Sequence, residues 1–257
     1  MTTRATSSGG LLLLVAMTLA GALDGRGEPG LAPGPASRAG RAVAGASPVP
    51  GDLADLERRH RADPTNGVVL LDLGRLYHWK GSEGDREAVG KAEECLERLG
   101  RLEPSNARGR ALLGSTRTLQ ARDARMPTTK LKLARRGLAE MDAAVREAPD
   151  DPEVRFTRVC NNISLPGLFR RQAFIEEDLA WLGRAAQAQP PRLEPGFRQW
   201  VALYHGLWLE RQERRDEARR RWSEALALVP GSPAAGRLQA ELDRTGAPAS
   251  RGKGGAR

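Results

Sequence analysis

The side chains that could do chemistry are few and scattered. His60, His78 and His205 are the only histidines. None has a second histidine at ligand spacing, and His205 occupies a position better suited to core packing. Glu93-Glu94 and Glu176-Glu177 are adjacent pairs, so their side chains diverge by about 100° on a helix instead of converging as an acid and a base. Gly114-Ser115 lacks the second glycine and the preceding strand of a nucleophile elbow. No glycine-rich phosphate loop occurs. With no convergent set, no catalytic residue, no metal site and no cofactor are expected.

Cys95 and Cys160 fall in different helical segments, and a disulfide needs Cα atoms within about 7 Å. Two buried thiols are therefore the expectation. Asn162-Ile163-Ser164 fits a glycosylation acceptor pattern, which carries no weight in a chain of bacterial composition.

The densest charge lies between Arg108 and Arg136. Arg108, Arg110, Arg117, Arg122, Arg125, Lys130, Lys132, Arg135 and Arg136 stand against Asp123 alone, a net of +8 in a chain whose total is +9. One reading is an anion-attracting patch, with Arg117, Arg122, Arg125, Lys130 and Lys132 as its candidate contacts. The other is a solvated hairpin in an arginine-rich proteome, since no aromatics are interleaved.

The elements that carry these residues follow from composition and spacing. Residues 1–22 read as a signal peptide: Arg4, an apolar run from Leu11 to Leu19, and Ala20-Gly21-Ala22 before the cut. The run is shorter than the about 20 residues a spanning helix needs. The expectation is an exported protein, periplasmic or extracellular, that is not integral to the membrane. Residues 23–51 are rich in Gly, Pro, Ala, Ser and Arg without periodicity, hence a disordered linker. Residues 245–257 form a disordered basic tail by the same argument.

Residues 52–244 repeat. Gly206, Ala218, Trp222, Ala225 and Pro230 are spaced by 12, 4, 3 and 5 residues. The last four positions of that pattern recur, with substitutions, as Ala92, Leu96, Leu99, Pro104, as Gly137, Met141, Ala144, Pro149, and as Asp178, Leu182, Ala185, Pro190. A weaker copy is Asp52, Leu56, Arg59, Pro64. Gly74 and Gly114 take the place of Gly206 in earlier pairs, whereas the third pair has Val159 there. Small residues bring two helices together, a large one fills the gap, and proline ends the second helix. Asn66, Asn106, Asp151 and Ser232 are placed to start the following helices. Met126-Pro127-Thr128-Thr129 and Leu165-Pro166-Gly167 are the expected hairpin tips.

These residues and intervals resemble the tetratricopeptide (TPR) repeat. The resemblance implies an all-α, TPR-like solenoid of about four helical pairs with flanking helices, the last from Pro233 to about Arg244. It implies a scaffold or accessory subunit that binds a protein or peptide in a concave groove lined by first helices. Leu71, Arg75, His78, Ala111, Ser115, Thr118, Phe156 and Cys160 fall on that row. Trp200, Leu203, Leu207 and Arg211 do too, as an apolar patch for a partner or as packing under the last helix. The Lys/Asn clamp with which some relatives hold a peptide carboxylate is not reproduced, because Asn161 and Asn162 come late. A polyanion binder (glycan, lipid head group or nucleic acid) acting through the basic hairpin is the alternative, although export argues against nucleic acid in vivo.

Overall fold

A computed structural model describes residues 53–189 and 192–246. They form ten α-helices and no strand, so the chain is all-α where it is described. In order, the helices are α1 (Leu53–Ala62), α2 (Gly67–Ser82), α3 (Arg86–Leu102), α4 (Ala107–Asp123), α5 (Pro127–Glu147), α6 (Pro152–Ser164), α7 (Gln172–Gln187), α8 (Pro195–Arg211), α9 (Arg215–Leu226) and α10 (Pro233–Gly246). A 3-10 turn, Gly167–Phe169, precedes α7. The signal-peptide and linker segments, Asp52, Pro190 and the tail beyond Gly246 lie outside the described residues.

The expected start residues cap their helices. Asn66 accepts from the Val69 N–H at 3.1 Å, Asn106 from Gly109 at 2.9 Å, Asp151 from Glu153 and Val154 at 2.9 and 3.2 Å, and Ser232 from Ala235 at 2.9 Å. Each such cap is worth about 1 kcal/mol. The described chain divides into two compact units at Asp178 and Leu179, inside α7.

In the first unit the buried clusters share helices in succession. Leu56, Val69, Leu73, Tyr77, Ala88 and Ala92 join α1, α2 and α3. Leu70, Leu96, Leu99 and Leu112 join α2, α3 and α4. Ala107, Ala111, Ala144, Val145 and Val154 join α4, α5 and α6. Within pairs, the glycines set the approach. A Cβ on Gly74 would lie 2.6 Å from the Leu96 side chain. Gly114 and Gly137 meet backbone to backbone, so a Cβ on either would overlap the other's carbonyl oxygen. Met141 and Ala144, the next two repeat positions on α5, are fully buried.

The α6 and α7 helices join differently. Val159, where glycine stands elsewhere, is itself buried, and the contact is made by charge. Arg155 donates to Asp178 at 2.6 Å, and Arg158 donates to both of its oxygens at 2.7 and 2.9 Å. Asp142 of α5 receives Arg158 at 3.3 Å and also binds Arg171. Arg171 in turn lies 3.8 Å above the Phe174 ring.

The second unit contains α8, α9 and α10. Gly206 abuts the indole of Trp222, which is fully buried and donates to the Leu203 carbonyl at 3.1 Å. Ala218 and Ala225 are buried on either side of it along α9. Gln199, fully buried, donates to the carbonyls of Ala225 and Val229 at 3.0 and 3.2 Å and accepts from Ser232 at 2.7 Å, which fixes the turn around Pro230. Arg219 donates to the Leu242 carbonyl at 2.7 Å and to Thr245 at 2.8 Å. The last helix runs through Gly246, past the expected end near Arg244.

Candidate functional site

The inner row of first helices was expected to be open, and in the first unit most of it is closed. His78, Ala111, Ser115, Phe156 and Cys160 are buried, while Leu71, Arg75 and Thr118 are half-buried. Small side chains at Ala111 and Ser115 let α2 and α6 close over α4. Arg75 of α2 consequently forms an ion pair with Glu153 of α6, across the intervening helix. Glu153 also receives Arg108 of α4 at 2.9 Å, and Arg108 bonds Asp151 at 2.7 Å.

A buried set of uncharged polar residues also joins α2, α4 and α6. His78 Nε2 is 2.9 Å from Ser115 Oγ, and Asn161 Nδ2 donates to Ser115 Oγ at 3.3 Å and to Thr118 Oγ1 at 2.5 Å. Burial holds the His78 pKa down to about 4, with the Arg122 charge adding to the effect. The imidazole is therefore neutral at pH 7, and its Nε2 can accept the Ser115 proton. A hydroxyl beside a neutral imidazole is the beginning of a nucleophile, but His78 and Ser115 are 1% and 2% exposed. What this set can do is tie α2, α4 and α6 together.

The open surface of α2 is elsewhere. Val68 and Trp79, 67% and 41% exposed, are three turns apart on one face, with the half-buried Asp72 and Arg75 between them. Sequence reasoning missed this stripe because Val68 and Trp79 fall outside the repeat positions, although their spacing is readable. The expected apolar patch is closed. Trp200, Leu203 and Leu207 are 5%, 2% and 4% exposed, and Arg211 is half-buried. The second of the two sequence readings, core packing, describes the three apolar side chains.

The basic hairpin is α4 and α5, with its tip at Ala124–Met126. Four of its nine cations, Arg108, Arg110, Arg117 and Arg136, pair with carboxylates outside the segment. Arg117, 2% exposed, is held by Glu93 and Glu97 of α3 and by Glu140 of α5. Arg110 pairs with Glu147, and Arg136 lies 3.5 Å from Glu140. Arg122 bonds Asp123 twice, at 2.8 and 2.9 Å, and the Gly81 carbonyl at 3.0 Å. Arg117 is thus a core ion-pair residue and cannot meet a ligand. Arg125, Lys130, Lys132 and Arg135 have no ion pair among the described residues. They are exposed apart from the half-buried Lys130.

Cys95 is half-buried, Cys160 is buried, and they are not disulfide-bonded. Burial raises the Cys95 thiol to about 11, with Glu94 adding to the shift, so at neutral pH it is protonated and a poor nucleophile. Burial likewise lowers His205 to about 4, with Arg221 and Arg214 adding to the shift. Among the described residues no group of three or more His, Cys, Asp and Glu is arranged to hold a metal ion, and no helix is long and apolar enough to cross a membrane. Comparison with known proteins finds no matching family model, no matching curated protein and no matching solved structure.

Proposed function

We propose that this chain is a non-catalytic interaction scaffold or accessory subunit of the cell envelope, a TPR-like solenoid of about four helical pairs that binds a protein or peptide partner. The observation that carries the reading is the recurrence of close helix contacts at equivalent repeat positions: Gly74 on Leu96, Gly114 on Met141 and Gly206 on Trp222. Regular pairs of this kind preorganise a surface, so a partner binds without the entropy of ordering it.

The docking face on this reading is the α2 stripe, where exposed Val68 and Trp79 flank the Asp72 and Arg75 charges. An exposed tryptophan is the side chain most often found as an energetic anchor. The test is capture of partners from envelope extract, eluted in a salt gradient. A discrete protein retained into high salt by the parent chain, and lost from Val68→Ser/Trp79→Ala with helicity unchanged, supports the scaffold.

The second reading is a polyanion binder, favoured by the unpaired Arg125, Lys130, Lys132 and Arg135. Release of all captured material at modest salt, with glycan, lipid or nucleic acid as its main component, would select that reading.

A further inference from the structure

The outward side of α5 is a cationic stripe. Thr128, Thr129, Lys132, Arg135, Arg136 and Ala139 are exposed along it, a run of about 16 Å, and Arg125 and Met126 are exposed at its beginning. No acidic residue interrupts the sequence from Ala124 to Ala139. The start of α5 adds to the same field: Met126 offers no side-chain cap, and the first turn holds no acid but does hold Lys130. Cations at a helix start oppose the helix dipole. The arrangement therefore gives the isolated fold nothing, and Arg125, Lys132 and Arg135, exposed and without an ion pair among the described residues, remain open to an external anion.

We infer that this stripe docks an acidic helix of a protein partner, laid along α5 with carboxylates facing Lys132 and Arg135 and the end nearest Arg125 resting on Met126. The inference rests on the protein-binding reading and names a second surface for it. Lys132 and Arg135 are three residues apart and Lys132 and Arg136 four, the turn-by-turn interval at which glutamates line one face of a helix. Thr128 and Ala139, small and exposed at either end, let a second helix come within the about 8–10 Å of ordinary helix packing. A nucleic-acid strand would call for aromatic platforms between the cations, and the segment from Arg108 to Arg136 contains none.

The experiment titrates the full-length chain with a labelled alanine-based helical peptide carrying glutamates in one i, i+4 stripe, at ionic strength of about 150 mM. A scramble of the same composition, a sulfated glycan and a single-stranded oligonucleotide are titrated alongside. The striped peptide should bind at least about tenfold more tightly than its scramble, and Lys132→Glu/Arg135→Glu should lose about tenfold in affinity. Arg58→Glu on α1, also exposed, should change nothing. Equal binding of stripe and scramble, tighter binding of glycan or oligonucleotide, or no binding of the striped peptide would each overturn the proposal. If Lys132→Glu/Arg135→Glu still captures the partner that Val68→Ser/Trp79→Ala loses, the α5 surface fails and the scaffold reading stands.

Discussion

The α4/α5 and α6/α7 pairs meet the same packing requirement by opposite means. At the first crossing, Gly114 and Gly137 remove every side-chain atom so that two backbones touch. At the second, Val159 and Asp178 occupy the equivalent places, and Arg155 and Arg158 converge on an Asp178 that is fully buried. A shape contact depends on what is absent. A charge contact depends on a complete set, because an ion left alone in the interior costs several kcal/mol.

The largest effect that would break this contrast is at the glycines. Gly137→Val places a branched side chain against the Gly114 carbonyl and Thr118, and neither backbone can yield. Loss of about 4 kcal/mol or more is expected in urea unfolding. Asp178→Ala should come next, at about 3 kcal/mol, since two buried guanidinium groups lose their shared carboxylate. The combined Arg155→Met/Arg158→Met/Asp178→Leu variant sharpens the comparison. It should return to within about 1 kcal/mol of the parent, whereas no second substitution rescues Gly137→Val.

An effect of comparable size, spread over pH, separates charge from polarity at α2 and α4. His78 titrates near 4 in the folded chain and near 6.5 when unfolded. Protonation therefore favours the unfolded state. The contribution of buried neutral His78 is complete above about pH 7 and falls away as pH drops from there toward 4, by roughly 3 kcal/mol. His205, lowered in the same direction, adds to the slope. His78→Asn should flatten the pH dependence of stability, and unchanged slopes would remove His78 from the account. Smallest of all, Lys132→Glu/Arg135→Glu should alter stability by less than about 0.5 kcal/mol, in keeping with side chains that serve no internal contact.

The helices and their pairwise approach were legible because proline, asparagine and glycine act locally. Pro64, Pro104, Pro149 and Pro230 all lie in turns just past helix ends, and Asn66, Asn106, Asp151 and Ser232 cap the helices that follow. The pairing inside the basic hairpin was not legible, for the complementary reason. Asp123 is the one acid within Arg108–Arg136, but Arg117 finds Glu93 and Glu97 on the preceding helix and Glu140 just beyond the segment. The Asp178 cluster was invisible in the same way, since Asp142, Arg155, Arg158 and Arg171 meet only after three helices have folded. Burial of Trp200, Leu203 and Leu207 could not be read from position on a first helix, because groove and core share that periodicity.

The Gly114–Gly137 contact also bears on how this sequence can change over time. Every replacement at either position adds at least a Cβ, and that atom meets main chain, which no exchange at the other position can move. Two neighbouring residues usually drift together, one growing as the other shrinks; here both already sit at the lower limit of size. The α4/α5 crossing is thus a fixed point for descendants of this chain, while the charged α6/α7 crossing leaves a route to an apolar successor if its members change together.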